Sequence, residues 1–344
     1  MRVALEEERI GASSNVAFRS AKRRLFAERK ATFAADLALF GPAAGGPSAT
    51  GVRALTADES RAYCRRLATT HYENFAVASW LLPRALRPHF YHVYAYCRWA
   101  DDLADETGDP RRSLELLDWW KEQLHDCYAG KAHHPVFVAL QETICEFEIP
   151  PAPFLALLEA FRQDQRVTRY ETFDDLLGYC RNSANPVGRL VLYLARSHDE
   201  QRGRLADSVC TGLQLANFWQ DVAGDWRRGR IYLPLADCRD FGYNENDFAA
   251  GRANAEFRRL LAFEVDRAER WLREGLPLAE QMPGRLRGDV WLFVYGGLKI
   301  LEHIRAIDYD VWKRRPKVSR LDQLRLLAGC VLRSLPRLRR ERMP

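Results

Sequence analysis

From Thr56 onward, apolar residues recur three and four positions apart, and alternating runs of Val, Ile and Thr are almost absent. The first pattern gives each helix one apolar stripe, and the second leaves little from which to build a sheet. The chain is therefore expected to be all-α. Thr56-Ala57-Asp58-Glu59 has the form of a capping box, a hydroxyl at the N-cap with a carboxylate three residues later. Pro83 and Pro88 bracket a short loop ahead of a helix through Tyr91 to Asp105, and Gly108-Asp109-Pro110 ends that helix and starts the next. Further helices are predicted over 111–128, 135–148, 151–166, 172–197, 200–225, 254–280, 287–308 and 320–340, with breaks at Pro150-Pro151, Gly229 and Gly242. One helical domain over residues 53–344 is at the upper edge of normal domain size.

Residues 1–52 differ from the rest. Ala, Ser, Gly and Arg dominate, and Gly41-Pro42-Ala43-Ala44-Gly45-Gly46-Pro47-Ser48 is a linker by composition. Residues 15–40 can form a helix but show no clear partner, so the segment is expected to be a disordered or weakly structured extension, dispensable for catalysis. Glutamates at 6–8 and the lack of an apolar h-region argue against a secretory signal, and a targeting extension and an over-long start both stay open. The eight cysteines are scattered without a Cys-x-x-Cys pair, which argues against a zinc site or disulfide framework and for a cytoplasmic setting. No stretch reaches the ~18 apolar residues of a membrane span.

Two aspartate-rich segments carry the chemistry. The first is Asp101-Asp102-Leu103-Ala104-Asp105, and the second runs from Asn217 through Asp221 to Asp225. On helices, Asp101 and Asp105 share one face, and so do Asn217, Asp221 and Asp225. Two such faces opposed across a bundle make a cage of hard oxygens that suits Mg²⁺, which completes its shell with water and substrate phosphate. The cage predicts a diphosphate substrate. Asp-Asp-x-x-Asp alone can also be a solvated helix end. Arg98 lies on the face of the first acids, where it can neutralise them or offer a planar fork to phosphate oxygens. The second segment leads into Trp226-Arg227-Arg228-Gly229-Arg230-Ile231-Tyr232-Leu233-Pro234, a basic loop that a bland helix does not explain. Between the two, Tyr179 to Gly188 contains small residues around Pro186 and Gly188. They read either as an ordinary kink or as a wall opened for a long apolar chain.

At these residues the chain resembles the squalene/phytoene synthase family, through His71-Tyr72-Glu73-Asn74-Phe75, Tyr94 to Asp105, Tyr179 to Gly188 and Asn217 to Pro234. His71 to Pro83 and Ser183 to Gly188 look most like its bacterial hydroxysqualene synthase branch. The resemblance implies a single-domain isoprenoid-synthase bundle with a central cavity. It also implies that Asp101, Asp105, Asn217, Asp221 and Asp225 bind Mg²⁺, with Asp102 in the motif behind them. Tyr94, Arg98 and Arg314 would contact diphosphate. Phe75, Tyr179, Val187 and Gln214 would line the site, and His71 would lie near phosphate. Tyr179 would act with the aspartates in catalysis. The family commonly shows a Ser-x-Ser-Phe-like element where this chain has Tyr72-Glu73-Asn74-Phe75, a departure in the local polar contacts.

The implied reaction is Mg²⁺-dependent conversion of presqualene diphosphate to hydroxysqualene. No strand–Gly-rich–helix unit is visible, and NADPH is not expected. Presqualene diphosphate, squalene and phytoene synthases share the metal cage and remain as alternatives. A non-catalytic helical scaffold is the alternative of another class. From Lys313 to the end, eleven Lys or Arg stand against two acids, a local +9. Leu321, Leu324, Leu327, Val331, Leu335 and Leu338 recur among them at helical spacing. This reads either as a last helix packed on the core with a solvated basic side, or as a peripheral contact with a membrane surface. Nucleic acid is not expected, because no aromatic-interleaved basic platform appears. Other enzymes of the same pathway are open as partners.

Overall fold

A computed structural model describes residues 32–42, 55–70, 84–284 and 286–334. The helices are α1 over 32–40, α2 Ala57–Thr70, α3 Arg87–Asp105, α4 Pro110–Tyr128, α5 Pro135–Phe147, α6 Ala152–Asp164, α7 Phe173–Ser183 and α8 Asn185–Leu194. They continue with α9 Glu200–Arg227, α10 Leu235–Asp240, α11 Glu245–Ala250, α12 Ala255–Gly275, α13 Pro277–Gln281, α14 Leu286–Ala306 and α15 Arg320–Ser334. Among the described residues there is no sheet, only one isolated parallel bridge between Arg169 and Ile231. None of the helices in the described residues is long and apolar enough to cross a membrane.

Boundaries fall where the sequence punctuates them locally. The Glu59 N–H donates to Thr56 Oγ1, and the Thr56 N–H donates to Glu59 Oε2 at 2.8 Å, so the capping box forms. Gly108 takes φ +70° after α3, and the Asp109 side chain caps α4. The helix expected over 172–197 is two, α7 and α8, which meet at Ala184 just before Pro186. Proline lacks the N–H needed to continue the α7 ladder. No opening appears at Gly188. A Cβ there would lie 2.7 Å from Cys210 Sγ, so the glycine presses α8 onto α9 instead.

Two hydrophobic clusters form the interior. One joins α1 to α6 with Leu190 and Leu194 of α8, around Trp99, Trp120, Phe137 and Phe154. The other surrounds α9 and α12, with Trp219, Phe257, Leu261 and Leu272 at its centre. α6 crosses the seam, since Leu158 belongs to the first cluster and Ala160 to the second. The axis of the second cluster is α9, 28 residues long and packed on α8, α12 and α14. Gly212 allows the α9–α12 approach, because a Cβ there would meet the Leu272 backbone nitrogen at 2.8 Å.

The N-terminal extension is not wholly outside this body. α1 lies on it: Phe33 is 8% exposed and meets Trp99 edge-on at 5.5 Å. Phe40 meets Tyr63 at 5.5 Å, and Tyr63 donates its hydroxyl to Asp36 at 2.8 Å. The missing partner for a helix near residues 15–40 is therefore the face of α2 and α3, supplied across the 43–54 segment. Residues 1–31 lie outside the described residues.

Candidate active site

The first acidic segment ends α3. Arg98 donates through Nε to Asp102 Oδ2 at 2.9 Å, through Nη2 to Asp102 Oδ1, and through Nη1 to Asp101 Oδ2 at 3.1 Å. Asp102 is 6% exposed, and both its oxygens are taken by the guanidinium. Its place is therefore to hold Arg98, with Asp101 and Asp105 left as the solvent-facing carboxylates of the segment. Three of the five N–H donors of Arg98 are used, and two remain for a phosphate. Tyr94 is half-buried two turns earlier on the same helix.

The second segment lies on α9. Asn217 is exposed, Asp221 half-buried and Asp225 buried. At Asp221 the helix leaves regular geometry, with φ −114° and ψ 16°. The turned carboxylate lies over Gly224, where any Cβ would collide with it. Arg315 Nε stands 3.1 Å from Asp221 Oδ1, and Gln220 donates Nε2 to the Pro316 carbonyl at 2.7 Å. Arg315 is thus one cation that reaches this motif; it is exposed, as is its neighbour Arg314, the residue expected at the diphosphate. Asp225 accepts from Arg228 Nη1 at 3.3 Å. Burial, and then the Asp221 charge, push its carboxyl up to about 6.

A third group lies between the two segments, and periodicity gave no sign of it. Tyr179 donates its hydroxyl to Asp164 Oδ2 at 3.0 Å, at the end of α6, while Asp164 Oδ1 is buried with no hydrogen-bond partner. Burial raises the Asp164 carboxyl to about 6, against the pull of Arg230 and the Tyr179 hydrogen bond. Burial disfavours the Arg230 cation, yet Asp164 and Asp105 together with the nearby tyrosines hold its pKa above the ordinary value. The same cation acts on Asp225. Arg230 is thus within electrostatic reach of Asp105 in the first acidic segment, Asp164 at the end of α6 and Asp225 in the second segment. Its loop is pinned by the Ile231 N–H, which donates to the Thr168 carbonyl at 2.9 Å. That tie spans more than sixty residues, so no local pattern announces it.

Aromatic rings flank this group. Phe218 stacks on Tyr232 at 3.9 Å, and Tyr179 lies 5.9 Å from Tyr232 and 5.5 Å from Tyr170. Beside it runs an open groove of ≈ 280 Å³ between α9 and α14, lined on one side by Leu213, Ala216, Asn217 and Gln220. Phe293, Gly296, Ile300 and Val318 line the other side. Gln214 is half-buried on α9, and Val187 is exposed at the start of α8. His71 and Phe75 lie outside the described residues.

Residues 68–322 match the squalene/phytoene synthase family. The chain belongs to that family. Its curated relatives include a phytoene synthase of Arthrospira platensis, 32% identical over 81% of this chain and 94% of the relative. Among solved structures, a squalene synthase, HpnC, of Alicyclobacillus acidocaldarius is 48% identical, with a TM-score of 0.71 over 74% of this chain and 95% of that one. A dehydrosqualene synthase solved with a ligand is 27% identical, with a TM-score of 0.73 over 80% of this chain and 97% of that one. The all-α single-domain bundle is the fold of these synthases.

The resemblance to this family implies Mg²⁺, and the donors suit it in kind. Asp101, Asp105, Asn217, Asp221 and Asp225 offer only hard oxygens, and the buried, unpartnered Oδ1 of Asp164 adds negative charge beside them. Among the described residues no three His, Cys, Asp or Glu side chains form a metal cluster by themselves. Mg²⁺ that keeps water and phosphate oxygens in its shell takes only one or two carboxylates, so the paired faces are sufficient donors.

Proposed function

We propose that this synthase converts presqualene diphosphate to hydroxysqualene with release of diphosphate. The observation that carries the C30 substrate is the 48% identity with the bacterial squalene synthase, against 32% for the phytoene synthase. The water-terminated ending rests on the likeness of residues 71–83 and 183–188 to the hydroxysqualene synthase branch.

In this reading Arg98, fixed by Asp102, turns its free N–H donors to the departing diphosphate, and Arg230 and Arg315 add charge from the α9 side. Asp101, Asp105, Asn217, Asp221 and Asp225 would hold Mg²⁺, which when bound neutralises charge on the leaving group. Tyr232, Tyr179 and Phe218 present ring faces to the carbocation left behind. The α9–α14 groove takes the apolar chain. Water then adds through oxygen to the rearranged cation, and its proton passes to the released diphosphate.

The curated phytoene synthases favour a second reading, head-to-head condensation of two prenyl diphosphates. Mass spectrometry after incubation with farnesyl diphosphate or presqualene diphosphate, each with and without NADPH, separates the two. An oxygenated C30 product from presqualene diphosphate alone is expected. Phytoene, or presqualene diphosphate built from farnesyl diphosphate, would instead establish a condensing enzyme.

A further inference from the structure

We propose that Arg169, which lies outside both acidic segments, is a positioning residue that sets Arg230 in the site by clamping the peptide leading into it. Arg169 stands on the 165–171 connection between α6 and α7, and Arg230 on the 228–234 loop that follows α9. The two stretches, 60 residues apart in sequence, meet at the isolated parallel bridge between Arg169 and Ile231.

A loop outside the helices needs its peptide groups fixed one by one, because no ladder fixes them together. Three such groups bracket Arg230. Its own N–H donates to the Asp225 carbonyl at 2.9 Å, and the Ile231 N–H donates to the Thr168 carbonyl at 2.9 Å. The third is the Gly229 carbonyl, which accepts from Arg169 Nη1 at 2.5 Å. That carbonyl shares one planar peptide with the Arg230 N–H, so Arg169 and the Asp225 carbonyl hold the plane from opposite edges. Gly229 stands at φ +78°, and a glycine whose carbonyl is released turns more freely than any other residue. The same Nη1 donates to the Thr168 carbonyl at 3.0 Å, so one guanidinium nitrogen joins both stretches at the bridge.

Arg169 is itself held from two further sides. Its Cζ lies 5.8 Å from the centroid of the Trp226 ring at the end of α9, and Nη2 lies 3.7 Å from Glu245 Oε1 on α11. With Nη1 on carbonyls and Nη2 toward a carboxylate, this guanidinium differs from Arg230, which acts on Asp164, Asp105 and Asp225. Arg169 therefore acts through Arg230 and not on an anion directly. A guanidinium displaced by about an ångström loses most of its strength toward a phosphate oxygen, so a clamp on its backbone carries through to binding. The inference rests on the proposed function for the place given there to Arg230 beside the diphosphate.

Calorimetric titration of the full chain with inorganic diphosphate and Mg²⁺ reads the anion site whatever the product. Arg230→Gln is expected to weaken binding about a hundredfold and Arg169→Gln about tenfold. Because Arg169 acts through Arg230, the double variant should bind no more weakly than Arg230→Gln alone. Arg169→Lys keeps a donor for the Gly229 carbonyl and should lose no more than about threefold. Glu245→Gln removes the ion pair and leaves the carbonyl bonds, so its affinity should stay within about twofold of the parent. Should Arg169→Gln misfold, Gly229→Ala moves the same carbonyl by straining the backbone at positive φ, and is expected to bind about tenfold more weakly. Additive losses in the double variant, or full affinity in a folded Arg169→Gln or Gly229→Ala, would overturn the clamp. Full affinity in Arg230→Gln would remove Arg230 from the diphosphate and overturn the clamp with it. A product other than hydroxysqualene, with these affinities as expected, would keep the clamp and remove the proposed reaction.

Discussion

Asp101 and Asp102 are neighbours in sequence with different surroundings. Asp102 is buried with both oxygens on Arg98, whereas Asp101 shares only one oxygen with the same guanidinium. Under the proposed function, Asp101→Asn and Asp221→Asn are each expected to lower turnover at least about a hundredfold, since each removes a charge from the face proposed to bind the diphosphate. Their thermal midpoints should stay within a few degrees of the parent, because neither fills the core. Near-normal turnover in either variant would take that carboxylate out of the site. Gly224→Ala tests Asp221 from behind: the added methyl displaces the carboxylate without touching its charge, so turnover should fall about tenfold with the fold kept. A fourth change tests a buried acid away from the site. Glu264 is fully buried beside Arg267 at 3.2 Å, and burial first, then Asp237, raises its carboxyl to about 9. Unfolded, the group titrates near about 4.3, so between these values the folded chain holds a proton that the unfolded chain has lost. Stability therefore falls as pH rises through that window, by at most about 1.4 kcal/mol per unit. Glu264→Gln should flatten the dependence, read as thermal midpoints at acidic, neutral and mildly alkaline pH. An unchanged slope would mean that Glu264 is ionised in the folded chain.

At the scale of elements, what was legible followed the range of the signal. The capping box at Thr56 and the α3–α4 break at Gly108 are written within a few residues, and sequence found them, whereas the face expected to carry Asn217, Asp221 and Asp225 is interrupted where α9 leaves helical geometry at Asp221. The split at Ala184 was half legible: the proline was visible, but the helix was carried across it. Asp164 and Arg315 were not legible, because each reaches the site through a contact made far along the chain, whereas Arg230 was visible as part of the basic loop but its placement depends on the distant Thr168–Ile231 tie. The six-residue helices α10 and α11 are too short to show a period. α1 was missed as a packed element because its partners lie beyond a linker-like stretch. A chain beginning at Val52 loses Phe33 and Phe40 from the Trp99 and Tyr63 faces. Burial of two aromatic side chains is worth about 3 kcal/mol, so the truncated chain should unfold several degrees lower by calorimetry. An unchanged midpoint would show that α1 adds no stability.

At the scale of the whole molecule, the two cores meet where charge and aromatic surface meet. α3 brings Asp101 and Asp105 from one core, α9 brings Asp221 and Asp225 from the other, and Asp164 at the end of α6 stands at the seam. Under the proposed function, a diphosphate held there would leave its carbocation between the polar seam and the apolar groove, and the product would depend on which side quenches it. Quenching from the polar side adds oxygen, whereas hydride from a nicotinamide gives a hydrocarbon. Under the proposed function, presqualene diphosphate should give an alcohol without NADPH, and in ¹⁸O-labelled water that alcohol should be heavier by one labelled oxygen. The label matters because an alcohol could also arise by hydrolysis of diphosphate at phosphorus, which keeps the original C–O bond and stays unlabelled. A labelled alcohol with the rearranged skeleton requires carbon–oxygen cleavage and water capture in the site. An unlabelled alcohol would reduce the enzyme to a phosphohydrolase on this substrate. A hydrocarbon formed only with NADPH would place the quench on the apolar side, and the family assignment would stand while the water-terminated ending would not.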